Sequence, residues 1–267
     1  MSCWAAASCA AVLLGTACAS ALHEPRPVAA IAPGAARGRS ADELVREADA
    51  AWARRADPAQ AERAQALYLD AAAADERRVD ALVGAMRAMT FRVEREKDGA
   101  TRARLAGEEV QLGQWCQRRA PSDIACDYRL AIALGQQARE RPSTGKDALG
   151  KMPELLRKAI AAAPRLDAAG PHRVLAMLLL RAPGWPIGPG DPEAGLEQAR
   201  IAARLFPDSA DNQLVLGEAL EKNGAAEDAK AAWRRALSLA TAARDAGDPE
   251  AERIRAEAAS KLERAGS

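Results

Sequence analysis

Rings are scarce in this chain. Aromatic residues make up 3% of its 267 positions, so a core must be filled by aliphatic side chains and alanine. Histidine occurs only at His23 and His172, which leaves no histidine cluster to hold a metal ion. Alternating runs of Val, Ile, Thr and Tyr are missing, so strands are not expected. There is no Gly-x-Ser-x-Gly elbow, phosphate loop or zinc-protease helix motif. The chain is therefore read as a non-enzyme, without cofactor or metal. A formal net charge of +1 gives no overall pull toward nucleic acid or an anionic membrane surface.

What remains is material for helices. Hydrophobic residues reach 49% and charged residues 28%, and abundant alanine favours helix and close helix approach. The stretch Ala210 to Ala243 sets the pattern. It reads as two helices joined by a turn at Lys222-Asn223-Gly224. Leu216, Gly217 and Leu220 share one face of the first helix, and Ala229, Trp233 and Ala236 one face of the second. Small residues at the helix crossing with large ones between, in a unit of about 34 residues, resemble a tetratricopeptide repeat. Such a hairpin cannot bury its apolar face alone, so the rest of the chain must supply stacking neighbours.

Those neighbours can be read in order. Ser40 and Glu43 form a capping-box pattern at the start of the folded region, with a helix to about Arg55. Asp57-Pro58 restarts the chain, and Ala64, Tyr68 and Ala71 repeat the spacing of the second helix above. A second pair runs from Asp80 to about Glu96 and on to about Arg118. A third takes Ile124 to Arg139 and Met152 to Ala163, and a fourth Gly170 to Leu180 and Pro192 to Phe206. Pro121, Pro164 and Pro207 follow these pairs at intervals of 43 residues. The surplus over the usual period is expected in two enlarged loops, Glu140 to Gly150 and Ala182 to Asp191. The amphipathic stretch Asp248 to Arg264 suits a cap. The fold expected over residues 41–265 is all-α, a tetratricopeptide-like solenoid of about five repeats with a C-terminal capping helix.

Ahead of it, residues 1–21 form an uncharged stretch with an apolar run from Cys9 to Leu14 and small residues after it, the pattern of an export signal. Leu14-Gly15-Thr16-Ala17-Cys18 resembles a bacterial lipobox, which implies lipidation at Cys18; cleavage after Ala21 is the competing reading. The residue after Cys18 is not Asp, as in lipoproteins sent to the outer membrane. Residues 22–40 are rich in Pro, Ala, Gly and Arg without periodicity and read as a disordered tether.

One block departs from a plain repeat: Arg181-Ala182-Pro183-Gly184-Trp185-Pro186-Ile187-Gly188-Pro189-Gly190-Asp191, then Ala194-Gly195-Leu196 and Leu205-Phe206-Pro207-Asp208. It resembles the loop and following helix of bacterial lipoproteins related to the T component of tripartite ATP-independent periplasmic transporters, and Leu130 to Gly135 fits the same scheme. The resemblance implies a periplasmic, lipid-anchored repeat protein that docks a solute-binding protein and self-associates around a central pore. Scaffolding of envelope assembly, or handling of a small ligand in a groove or pore, are the alternatives. No nucleic-acid partner is expected, and membrane contact is expected through the anchor alone.

Cys116 ends one helix and Cys126 begins the next, across a turn containing Pro121. In an oxidising compartment they can close a disulfide; otherwise they are small residues filling helix crossings. Partner binding is expected on the concave face lined by first helices, with Arg87, Tyr128, His172, Arg173 and Glu218 as candidates. Trp185, on the Gly/Pro loop, either anchors a partner or folds back over helix ends.

Overall fold

Side-chain caps set the starts of half of the α-helices in this computed structural model, which describes residues 20–34 and 38–266. Ser40 accepts the Glu43 amide while the Glu43 carboxylate accepts the Ser40 amide, a complete capping box. Asp57, Asp98, Asp123, Asp191 and Ser209 each accept an amide in the first turn of the helix that follows. These bonds satisfy donors that have no partner inside the helix. The elements so defined are α1 (Val28–Ile31), α2 (Ala41–Trp52), α3 (Pro58–Ala74), α4 (Val79–Val93), α5 (Gly99–Arg119), α6 (Ile124–Glu140), α7 (Gly145–Ala162), α8 (Leu166–Arg181), α9 (Pro192–Leu205), α10 (Ala210–Lys222), α11 (Ala226–Asp245) and α12 (Ala251–Gly266). There is no strand among the described residues.

Helices α2 to α11 form five hairpins in succession, and α12 packs on α11 as the cap. Pro121, Pro164 and Pro207 all stand in the turns that follow second helices, where the missing amide costs no helical bond. First helices touch one another along the stack, α4 with α6, α6 with α8 and α8 with α10, whereas second helices do not. The first helices therefore line the concave side. Within each hairpin the crossing depends on small residues. A methyl group on Gly217 would stand 2.2 Å from the Trp233 indole nitrogen, so only glycine lets that ring bury completely.

Two expectations are corrected. The segment Glu140 to Gly150 is not an enlarged loop. A 3₁₀ turn over Pro142–Thr144 leads directly into α7, whose Ala148, Met152 and Leu155 are buried. Gly145, Gly150 and Pro153 look like breakers, but burial of one helical face outweighs their poor propensity. The loop Ala182 to Asp191, by contrast, does lie between helices.

Nor is the N-terminal segment a free tether where the structure describes it. Residues 20–34 run across the outer face of the second helices as a strap. Ser20 Oγ and the Ala21 amide both donate to the Asp147 carboxylate of α7, at 2.7 and 2.9 Å. The Arg26 amide donates to Gln111 of α5 and the Trp115 indole to the Arg26 carbonyl, and the Gly34 amide donates to Asp70 of α3. Ala21 and Val28 are buried against the core. Cys18 lies outside the described residues.

Candidate interaction site on the concave face

Three consecutive first helices each carry an arginine to the concave side: Arg87 on α4, Arg129 on α6 and Arg173 on α8. They surround one carboxylate, that of Asp167. Arg129 and Arg173 approach its Oδ2 at 3.8 and 3.9 Å, and the Tyr128 hydroxyl donates to it at 2.7 Å. Burial pushes the Asp167 carboxyl upward, but Arg129, the Tyr128 hydroxyl, Arg173 and Arg87 together outweigh it and hold it below the usual range. Tyr128 is pushed the other way, first by its own burial and then by the Asp167 charge.

Asp167 reaches this position through an unusual backbone. Asp167, Ala168 and Ala169 lie at φ 51°, 53° and 62°, a left-handed run that costs an L-residue roughly 1–2 kcal/mol apiece. Polar groups hold it in place. Arg173 Nη1 donates to the Ala168 carbonyl at 3.2 Å and to Asn212 Oδ1 at 2.9 Å. Asn212 Nδ2 donates to the same Ala168 carbonyl at 3.0 Å. Only beyond this run, at Gly170-Pro171, does α8 become regular.

Toward the first repeat the concave face turns aromatic. Trp52 and Phe91 meet edge to face with centroids 5.5 Å apart. Arg55 and Arg87 lie over the Trp52 ring at 4.7 and 4.6 Å, and Arg95 over Phe91 at 3.5 Å. The cap reaches across to this cluster. Arg55 pairs with Glu250 at 3.2 Å, and Arg95 donates to the Pro249 carbonyl at 3.2 Å. Arg253 of α12 lies between Glu94, just past the end of α4, at 3.4 Å, and Asp211 of α10, at 3.1 Å. The two ends of the solenoid are thus joined by ion pairs.

The six candidates distribute unevenly. Arg87 and Arg173 are on the concave face and half-buried. Tyr128 is on it only by its hydroxyl, since its ring is 1% exposed. His172 is a correction: it is buried and turned away, its Nδ1 2.8 Å from Gln198 of α9. Glu218 is also buried, and is committed to a two-bond pair with Arg181 at 3.0 and 2.6 Å, so it is not free to meet a partner. Trp185 stands well away on the loop edge, 89% exposed. Sequence reasoning missed Arg129 and Asp167. The near-period spacing of Arg87, Arg129 and Arg173 was the available signal for the former; the left-handed turn that delivers Asp167 has none.

Elsewhere, Cys116 of α5 and Cys126 of α6 are joined, with Cα atoms 5.2 Å apart. No group of metal-ligating side chains is assembled among the described residues. A cleft of about 470 Å³ beside α9 is lined by Glu193, Leu196, Glu197, Arg200, Arg204 and Asn223, a mostly charged set. No helix among the described residues is long and apolar enough to cross a membrane.

No family model matches this chain, and no curated protein matches it. Among solved structures, it is similar to a thermophilic TPR protein of Thermus thermophilus. The TM-score is 0.61 at 18% identity, over 84% of this chain and 99% of that one. The likeness is one of fold: a tetratricopeptide-like helical solenoid.

Proposed function

We propose that this chain is a non-enzymatic, exported lipoprotein whose concave face binds another protein of the cell envelope. The observation that carries the reading is the surplus of positive charge on that face. Three arginines from successive repeats face one carboxylate, so an acidic segment of a partner finds ready-made cationic partners in a partly desolvated setting, where such bonds are strongest. Arg55 and Arg95, stacked on Trp52 and Phe91, are matched by Glu250 and Glu94 and border that surplus without adding to it. The resemblance of the Gly/Pro block to transporter-linked lipoproteins makes a periplasmic solute-binding protein the partner class to test first.

The strap supports the lipobox reading over cleavage after Ala21. That cut would remove Ser20 and Ala21, which supply two bonds to Asp147 and a buried side chain. Processing before Cys18 keeps them. Small-ligand handling is less well supported, because the cleft beside α9 is lined mainly by charges and not by the apolar walls typical of ligand pockets.

The test is recovery of partners from membranes after mild cross-linking, with the native chain and with Arg87→Glu and Arg129→Glu. A protein retained by the native chain and lost from both variants is the expected result. Absence of any reproducible protein partner for the native chain would sink the reading. Mass spectrometry of the mature N-terminus decides lipidation at Cys18.

A further inference from the structure

Two large apolar side chains stand exposed among the described residues, and both are on one loop: Trp185 at 89% and Ile187 at 79%. From Ala182 to Gly190 this loop carries no charged side chain. It is also built not to fold back. The Gly190 amide donates to the Pro183 carbonyl at 2.9 Å, the Asp191 amide to Leu179 at 2.9 Å, and the Ile187 amide to Gly184 at 3.0 Å. A methyl group on Gly190 would lie 2.2 Å from the Ala182 carbonyl, so the two stems of the loop touch. The tip therefore displays its apolar pair in a fixed arrangement, without covering it.

Its neighbours say what it meets. Gly188 packs beside Leu149, within the first turns of α7. On the same first turn Asp147 holds Ser20, the residue at which the described chain begins. Cys18 is two positions earlier in the sequence. Ser20 and the apolar tip therefore flank one helix end. The α6–α7 turn adds exposed Arg141, and the first turn of α7 adds exposed Lys146.

We propose that this edge of the solenoid seats on a lipid bilayer, with Trp185 and Ile187 inserted at the headgroup boundary and Arg141 and Lys146 against anionic headgroups. The proposal rests on the reading of Cys18 as the lipid anchor. Tryptophan favours that boundary, and basic residues beside an anionic leaflet are drawn to it. Two side chains are too little for a protein interface, which buries ~800 Å² per partner. They suffice for a second attachment made after the first, because anchoring raises the effective local concentration to the order of millimolar. The strap is bound along the outer face from Ser20 onward, so both attachments belong to one body. The concave face then has a fixed orientation to the membrane.

The experiment places the full lipidated chain in vesicles of zwitterionic and anionic phospholipid, with and without lipids brominated along the acyl chain. A tryptophan emission component quenched by brominated lipid, absent in Trp185→Phe and reduced at least fivefold in Ile187→Asp, is expected. If aqueous iodide reaches Trp185 equally with the protein anchored and free, the proposal is overturned. So is a photo-crosslinker at position 185 of the membrane-bound chain that captures protein instead of lipid. Full-length Cys18→Ala with excess vesicles separates the two readings. Trp185 insertion that persists there, strengthened by anionic lipid, supports the loop even if the native N-terminus carries no lipid. Loss of insertion in both forms removes the loop's role while leaving lipidation to be decided by mass.

Discussion

Glu109 should make this protein lose stability as the pH rises. The side chain sits on α5 with no solvent exposure. Its Oε1 accepts from the Thr90 hydroxyl at 2.6 Å, and its Oε2 has no hydrogen-bond partner among the described residues. Burial pushes its carboxyl up to about 8; the Thr90 bond and the Arg129 charge pull it down, and Glu94 pushes it further up. The unfolded chain releases this proton near the ordinary 4.5, while the folded chain keeps it to about 8. Between those values the folded state binds more protons than the unfolded, so stability falls with rising pH across that window and is flat above it. At 1.36 kcal/mol per unit, the whole gap corresponds to about 4–5 kcal/mol. Glu109→Gln keeps the acceptor for Thr90 and cannot ionise. Compared at pH 5, the two proteins should have similar stability. Compared at pH 9, the variant should melt roughly 8–20 °C higher, taking 2–4 °C per kcal/mol for a chain of this size. Thermal unfolding at matched ionic strength from pH 5 to 9 measures the difference. A gap between the two proteins that stays constant across that range would refute the reasoning.

Other perturbations test other joints. Reducing the Cys116–Cys126 bond, which closes a 10-residue separation, should cost about 2–3 kcal/mol, seen as a lower urea midpoint with reductant and no change in Cys116→Ala/Cys126→Ala. Ala168→Gly should stabilise by about 0.5–1 kcal/mol, because relief of left-handed strain exceeds the added chain entropy of glycine; destabilisation would mean that φ 53° is not the solution conformation. Arg253→Ala should release α12 from Glu94 and Asp211 and increase the radius of gyration in small-angle scattering, with the native chain approaching the variant at high salt. An unchanged radius would show that packing on α11 alone holds the ends together.

The fold was legible where the repeat logic is local. Gly217 against Trp233 and the evenly spaced turn prolines are consequences of one hairpin's own packing, so they are written within a few dozen residues. Local signals misled at Gly145 and Gly150, where each residue disfavours helix but the face of α7 carrying Ala148 and Met152 is buried. The strap escaped notice for the opposite reason. Ala21 and Val28 are isolated apolar residues with no period, and their partners Asp147, Gln111 and Asp70 are far away in sequence. The site was legible only in part. Arg87 and Arg173 follow from placing first helices on the concave side, but a register one residue off turns His172 to the α9 side. Asp167 depends on three backbone torsions that no residue type there announces.

A linear stack of repeats can lose its end units one at a time, because each unit answers only to its neighbours. Here Arg253, Arg55 and Arg95 tie the last helix to the first two hairpins, so neither end is an end in that sense. Fraying α12 takes Arg253 away from Glu94 and Asp211, and loosening the end of α2 takes Arg55 away from Glu250. The cooperative unit becomes the whole circuit. Amide exchange should then be protected evenly from one end to the other, without the gradient that an open array displays.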